Sequence, residues 1–393
     1  MLEAPPLDDT RDTAAFCILT NARLVLPNEV VCGTIVLRDG LIDAIDQGIS
    51  RAPGALDLAD DYLIPGLVDL HTDNLERHYQ PRSGVEWDAV SAAISHDTQV
   101  AGSGITTVYD SLTLGAASGW DMRAETIEPI VQGLRIAVDH DMLRIQHFLH
   151  MRCEVTHPDI VAAFEAYASD PLVRFMSLMD HAPGDRQSPD IVDYRRRYLM
   201  TFEGDEAAVD RHIEELLHGS RVLGPGNRRR LAGIARERGL CFASHDDARR
   251  EHVEEARDLG VSVSEFPTTL EAAEAAHEAG IAVLMGAPNL IRGRSHSGNV
   301  AATVLAERNR LDILSSDYIP ASLLVAAFRL TQADFGWSLP QALARVTSVP
   351  AATAGLGDRG RLEPGLRADM VRVQLVQDRP VVRAVWSAGN RVM

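Results

Sequence analysis

The chain contains no lysine, so all 38 of its basic side chains are arginine. That absence excludes a lysine Schiff base, a lysine general base and a lysine-derived bridge between metal ions. Cysteine is nearly as scarce. Cys17, Cys32, Cys153 and Cys241 are scattered without a Cys-x-x-Cys pair, so neither a disulfide framework nor a thiolate zinc site is expected. No stretch approaches the roughly 18 uninterrupted apolar residues of a membrane span. The opening Met1-Leu2-Glu3-Ala4-Pro5-Pro6 lacks the basic and apolar regions of a signal peptide. The expectation is a soluble, cytoplasmic protein with no membrane partner. A formal charge of −18, without a basic stripe, argues against nucleic acid as a partner. It leaves room for a small anionic substrate. Charges beyond a Debye length of about 8 Å are screened, so arginines and metals inside a cleft prevail locally.

With 393 residues, 46% of them hydrophobic, the chain can build one large domain and a smaller one. Residues 15–49 alternate apolar and polar positions around an Asp39-Gly40 turn, and Ala368–Val373 and Val381–Trp386 do the same near the other end. Neither piece has strands enough to bury a face alone, so both termini are expected to join as one small discontinuous β-sandwich domain, residues 1–63 and 359–393. Between them, residues 64–358 repeat strand and helix signals. Apolar runs end near Asp73, Asp110, Glu154, His181, His245, Phe266, Gly286 and Asp317. A helix is predicted over 228–238, capped by Asn227 and ended by Gly239. Eight such units fit a (β/α)₈ TIM-type barrel, whose site lies at the C-terminal ends of its strands.

Ile64-Pro65-Gly66-Leu67-Val68-Asp69-Leu70-His71-Thr72-Asp73 is the stretch around which the rest is organised. Period-two alternation puts His71 and Asp73 on one face of a strand end, a pairing able to hold a divalent cation. On the third strand His150, Arg152 and Glu154 share a face in the same way, and the later strands end in Asp180-His181, His245-Asp246-Asp247 and Ser315-Ser316-Asp317. Without lysine, Glu154 is the best carboxylate to bridge two metals. Neutral imidazoles and carboxylates suit zinc or manganese, and Asp317 is placed to take a proton from an activated water.

Two donor clusters flank this set. Arg292, Arg294, Ser295, His296 and Ser297 follow the seventh strand among glycines, with donors and no side-chain negative charge, as a phosphate cradle requires. Asn74, Arg77, His78 and Arg82 follow the first strand, and Arg152 precedes Glu154; all are expected to contact substrate. The long insertion 182–239 carries Tyr194-Arg195-Arg196-Arg197-Tyr198, for which a solvated helix face and a lid over anionic substrate are both open readings.

The Pro65–His71 entry, the split β domain, the return Leu362–Asp369 and the aspartate closing the eighth strand resemble the amidohydrolase superfamily. Within it, His71–Glu76, Arg152–Glu154, Asp180–Gly184, Ser244–Asp247, Glu265–Thr269 and Ala287–Asn299 resemble the diphosphatases of the carbon–phosphorus lyase pathway. The resemblance implies hydrolysis of the 5-triphosphate arm of a ribosyl methylphosphonate, a small anionic sugar triphosphate, with release of pyrophosphate. It implies a divalent metal site, expected to hold two ions, with His71, Asp73, Glu154, His181, His245 and Asp317 as ligands. The alternative is an amidohydrolase cleaving a C–N bond in a cyclic amide or nucleobase-like ring, a reading that leaves the arginine-rich loop without a task. A homodimer is the default expectation for the assembly.

Overall fold

The eight apolar runs pair, in a computed structural model, as one parallel sheet in chain order: β1 (Leu67–Thr72), β2 (Ile105–Leu114), β3 (Gln146–Glu154), β4 (Val173–Met179), β5 (Cys241–His245), β6 (Val263–Glu265), β7 (Ala282–Gly286) and β8 (Ile313–Ser315). The structure describes residues 16–82, 84–115, 123–295 and 298–393. Asp317 N–H donates to the His71 carbonyl at 3.0 Å and Asp73 N–H to the Asp317 carbonyl at 2.9 Å. These bonds tie the end of β8 to the end of β1 and close the barrel. β1 and β2 are buried along their whole length. Strands covered by helices outside and filled by side chains inside must be apolar on both faces, which is why they read as continuous runs rather than alternations. Val68, Leu70, Tyr109, Phe148, Phe175, Ala243, Val263, Leu284 and Ile313 form the inner layer below the mouth.

Strict alternation from Val68 and Leu70 would turn His71 away from that layer. The register corrects this: Asp69 pairs with Val108 and Thr72 with Asp110, so β1 advances three residues while β2 advances two. One extra residue in β1 re-aims the strand end, as a bulge does, and sends His71 inward after Leu70.

The termini form a second, mixed sheet. Tyr62–Pro65 lies at its centre, parallel to Phe16–Val25 and antiparallel to Met370–Val376, so one short strand joins the two halves. The N-terminal part of the small domain therefore runs to Pro65. Its core includes Leu19, Leu24, Ile35, Leu63, Met370 and Trp386. Gly66 links sheet to barrel where a Cβ would come within 2.2 Å of Thr106 Oγ1, so only glycine passes.

Helix α1 (Asn74–Tyr79) follows β1 directly, α2 (Ala89–Gly102) packs beside it, and α3 (Ile191–Leu199) lies in the insertion after β4. The insertion continues as α4 (Glu206–His218) and α5 (Gly224–Arg238), joined by a π-turn at Gly219–Leu223. Ala182, Tyr194, Val209, Ile213 and Leu216 give it a core of its own. Gly219 fits against the Thr156 carbonyl, where a Cβ would approach to 2.4 Å. The predicted cap does other work: α5 begins at Gly224, with a proline in its first turn. Asn227 Nδ2 instead donates to the Val155 and His157 carbonyls at 2.9 and 3.1 Å, fastening the insertion to the end of β3. Among the described residues no helix is long and apolar enough to cross a membrane.

Candidate active site

At the C-terminal mouth the strand ends bring two sets of ligand-type atoms together, His71, Asp73 and Asp317 in one and His181, His245 and Asp246 in the other, each within 4.8 Å. Two histidines are oriented by the same device. His71 Nδ1 lies 3.1 Å from Glu265 Oε1, and His181 Nδ1 lies 2.8 Å from Glu154 Oε2. A carboxylate only accepts, so each proton sits on Nδ1 and each Nε2 is left as a lone-pair donor toward the mouth. His71 Nε2 then lies 3.5 Å from Asp73 Oδ1, and His181 Nε2 lies 3.8 Å from Asp246 Oδ2. Phe266 sets its ring edge-on against His71 and His245, with centroids 4.9 and 5.3 Å apart, and fixes both imidazoles.

The backbone is strained where these groups are presented. Asp246, Phe266 and Asp317, at the ends of three strands, have φ of +55°, +52° and +57°. A left-handed conformation in a non-glycine residue costs about 1–3 kcal/mol, and here it recurs at three strand ends of one rim. Gly286 completes the fit: a Cβ there would sit 3.1 Å from Asp317 Oδ2, so glycine leaves room for that carboxylate.

The residues fit a divalent cation. His245 Nδ1 and Nε2, Asp246 Oδ2 and Glu265 Oε2 are buried without a hydrogen-bond partner. His245 Nδ1 and Asp246 Oδ2 are 2.9 Å apart yet lack hydrogen-bonding geometry. Each such orphan costs about 1–3 kcal/mol, and a shared cation satisfies several at once. The titration directions agree with a site rich in negative charge. Burial would lower His71, but Glu265 and Asp73 overcome it and raise its pKa to about 10, so Nε2 also carries a proton, one that a bound cation would displace. Burial would raise Glu265, but His150 and His71 pull it down to about 2.

A cleft of about 790 Å³ opens above this floor. Of the residues expected to contact substrate, Arg77, Arg152, Arg292, Arg294 and Ser295 line it. Arg152 is buried and donates from Nη1 to Asp73 Oδ1 at 3.0 Å; Arg77 lies 5.6 Å over the Tyr318 ring. His296 and Ser297 lie outside the described residues. Three expected substrate contacts sit elsewhere. Asn74 is buried against α2, donating to His96 Nδ1 and Gln99 Oε1, each at 2.9 Å, and His78 bonds the same Gln99 at 2.8 Å. Both face away because α1 packs on α2. Arg82 is exposed beyond α1, paired through its backbone with Val85. Glu154 stands behind His181, where Thr156 Oγ1 and His181 Nδ1 occupy its two oxygens.

Sequence reasoning left out Asp246 and Glu265 as site residues. Glu265 ends β6 on the inward parity of Val263, a signal that was available; the turn of Asp246 rests on its positive φ, which nothing in the sequence announced. It also left undecided which of the insertion's residues reach the cleft: Gln187, Ser188, Tyr194, Arg197 and Tyr198 do.

The α-D-ribose 1-methylphosphonate 5-triphosphate diphosphatase of Escherichia coli (strain K12) is 43% identical over 376 residues, 95% of this chain and 100% of that protein. Among solved structures, N-acetylglucosamine-6-phosphate deacetylase from Pasteurella multocida matches with a TM-score of 0.63 at 12% identity, covering 96% of this chain and 99% of that one. N-isopropylammelide isopropylaminohydrolase from Burkholderia multivorans matches with a TM-score of 0.63 at 18% identity, covering 96% and 98%. These two establish the barrel and its companion sheet. The amidohydrolase family model matches residues 62–392, from the central strand of the small sheet almost to the C-terminus. The chain belongs to the amidohydrolase family.

Proposed function

We propose that the protein hydrolyses α-D-ribose 1-methylphosphonate 5-triphosphate to the 5-phosphate and pyrophosphate, using two divalent ions, zinc or manganese, held by His71, Asp73 and Asp317 and by His181, His245 and Asp246. The observation that carries the reading is the union, in one cleft, of a floor with unpartnered metal-type donors and a rim of arginines. The full-length relative named for this reaction supports the same substrate.

A cation on the floor supplies Lewis acidity to the phosphoryl group under attack. The chain's own residues do the rest. Asp317, on its strained turn beside Gly286, accepts the proton of the attacking water. Glu154 and Glu265 keep His181 and His71 in one tautomer and orientation. Arg77, Arg292 and Arg294 hold the departing pyrophosphate, where charge develops as the anhydride breaks. Arg152 keeps Asp73 aimed at the floor.

Pyrophosphate release from the synthetic triphosphate, measured with metal-loaded and metal-stripped protein, tests this reading. Release confined to the loaded protein, with the 5-phosphate seen by phosphorus NMR, is expected. Silence from loaded protein that opens a cyclic amide or deaminates adenine would move the reaction to a C–N bond.

A further inference from the structure

The cleft has two walls on opposite sides of the barrel. One gathers where the barrel closes: Arg292 and Arg294 follow β7, Tyr318 follows β8 and Arg77 follows β1. The other is the insertion after β4, and β4 stands directly across the ring of eight from β8. The metal-competent floor lies between them.

Only one of three consecutive arginines on α3 lines the cleft. Arg195 donates to Asp210 and Glu206, and Arg196 to Asp193, all on the solvent side. Arg197 lies 5.9 Å over the Tyr194 ring and donates from Nη2 to Ser188 Oγ at 3.3 Å. Its Nε reaches Asp193 Oδ2 at 3.2 Å, but Arg196 shares that carboxylate. Asp193 is divided between Arg196 on the solvent side and Arg197 on the cleft side, which leaves the Arg197 guanidinium only partly neutralised. The wall is also fixed rather than floppy. Tyr194 and Tyr198 stack with centroids 4.1 Å apart and planes at 17°, over the insertion's own core. Asp190 caps α3 by accepting from Val192 and Asp193 N–H.

A triphosphate needs cations on one side of the scissile bond. A second cationic wall, across the floor, has no task if the far end of the substrate is neutral. We propose that Arg197 is a specificity residue that receives the phosphonate anion on C1 of the ribose, while the opposite wall holds the pyrophosphate end. The cleft thus selects a sugar carrying anions at both ends over nucleoside triphosphates, whose far end is a neutral base. A guanidinium suits the two free oxygens of a phosphonate ester, which it engages as a fork, and its preorganised position spares ordering on binding. This assignment rests on the proposed diphosphatase reaction.

The test compares kcat/KM for ribose 1-methylphosphonate 5-triphosphate and for ribose 5-triphosphate, in the metal-loaded wild type, Arg197→Met and Arg195→Met. The wild type should prefer the phosphonate-bearing substrate by about tenfold or more, the scale of one charge-assisted hydrogen-bonded contact. Arg197→Met should lose that preference mainly through KM, while Arg195→Met, on the solvent face, should keep it. A wild type without preference, or an Arg197→Met enzyme that retains it, overturns the assignment and leaves the diphosphatase reading standing. No pyrophosphate from either substrate with any of the three proteins overturns both.

Discussion

Two clusters of buried histidine and carboxylate sit on this barrel a few residues apart, and their hydrogen bonds end differently. Below α2, Asp110 takes His96 Nε2 on one oxygen at 2.6 Å and His147 Nδ1 on the other at 2.8 Å. Asn74 donates to His96 Nδ1, and Asp97 accepts from the backbone N–H of Arg144 and Ile145 at 2.8 and 3.1 Å. These are direct hydrogen-bond lengths with no room for an ion between the partners. At the mouth, both nitrogens of His245 and one oxygen each of Asp246 and Glu265 end on nothing. The same residue types therefore make a structural knot in one place and the proposed ligand set in the other. What separates them is how much of the accounting closes: of the inner cluster's atoms His147 Nε2 alone is left without a hydrogen bond, 3.4 Å from Asp97 Oδ1, whereas four atoms are left at the mouth.

The sharpest way to break this contrast is to remove one carboxylate from each side. Asp317→Asn should lower turnover by about 10²- to 10⁴-fold, the usual weight of a positioned acid–base group, with the circular dichroism spectrum unchanged. A fully active variant would remove Asp317 from the chemistry. Asp110→Asn should do the reverse. It leaves two buried imidazoles without their shared charge, so unfolding free energy measured by denaturant should drop by about 3–5 kcal/mol, while metal content per folded molecule stays at the wild-type level. A drop in metal content without a drop in stability would make the inner cluster a metal site after all.

Proton linkage sharpens the same point. Burial would raise Asp110, but His96 and His147 hold its carboxyl below the usual carboxylate range. Burial would lower His147, yet Asp110 and Asp97 raise it to about 9, whereas burial prevails at His96 and keeps it low. A histidine raised on folding contributes stability that is whole below its unfolded pKa and is lost as pH climbs through its folded one. Between an unfolded value of about 6.5 and the folded value of about 9, the wild type should therefore lose stability relative to His147→Gln, by no more than about 3 kcal/mol. Parallel curves for the two proteins over that window would contradict the linkage. The smallest effect concerns orientation. Glu154→Gln should weaken metal binding by about 10- to 100-fold, as loss of a carboxylate behind a metal-binding imidazole does, read by competition with a chelator. An unchanged affinity would mean that His181 needs no partner.

Most of the fold was legible because a parallel barrel has few ways to look otherwise. Strands buried on both faces must be apolar runs, and the runs ending at Asp73, Glu154, His181, His245 and Asp317 lie where the sequence puts them. The ligand-type residues at their ends were legible for the same reason: a polar group closing an apolar strand is visible as a break. Three things were not. The extra residue in β1 leaves no mark, since Asp69 to Thr72 reads as unbroken strand, yet it decides that His71 faces inward. Asn74 and His78 follow the metal-type strand so closely that proximity in sequence suggested the cleft, but α1 packs on α2 and turns them into the inner cluster. Arg195, Arg196 and Arg197 are alike in sequence; only the packing of Tyr194 under α3 decides which one meets the cleft.

Anomalous diffraction from crystals of the metal-loaded protein, collected at the absorption edge of the bound ion, tests the central claim most directly. Peaks between His71, Asp73 and Asp317 and between His181, His245 and Asp246, with none at His96, Asp110 and His147, are the predicted result. A peak in the inner cluster, or a mouth without one in protein that carries metal, would contradict it.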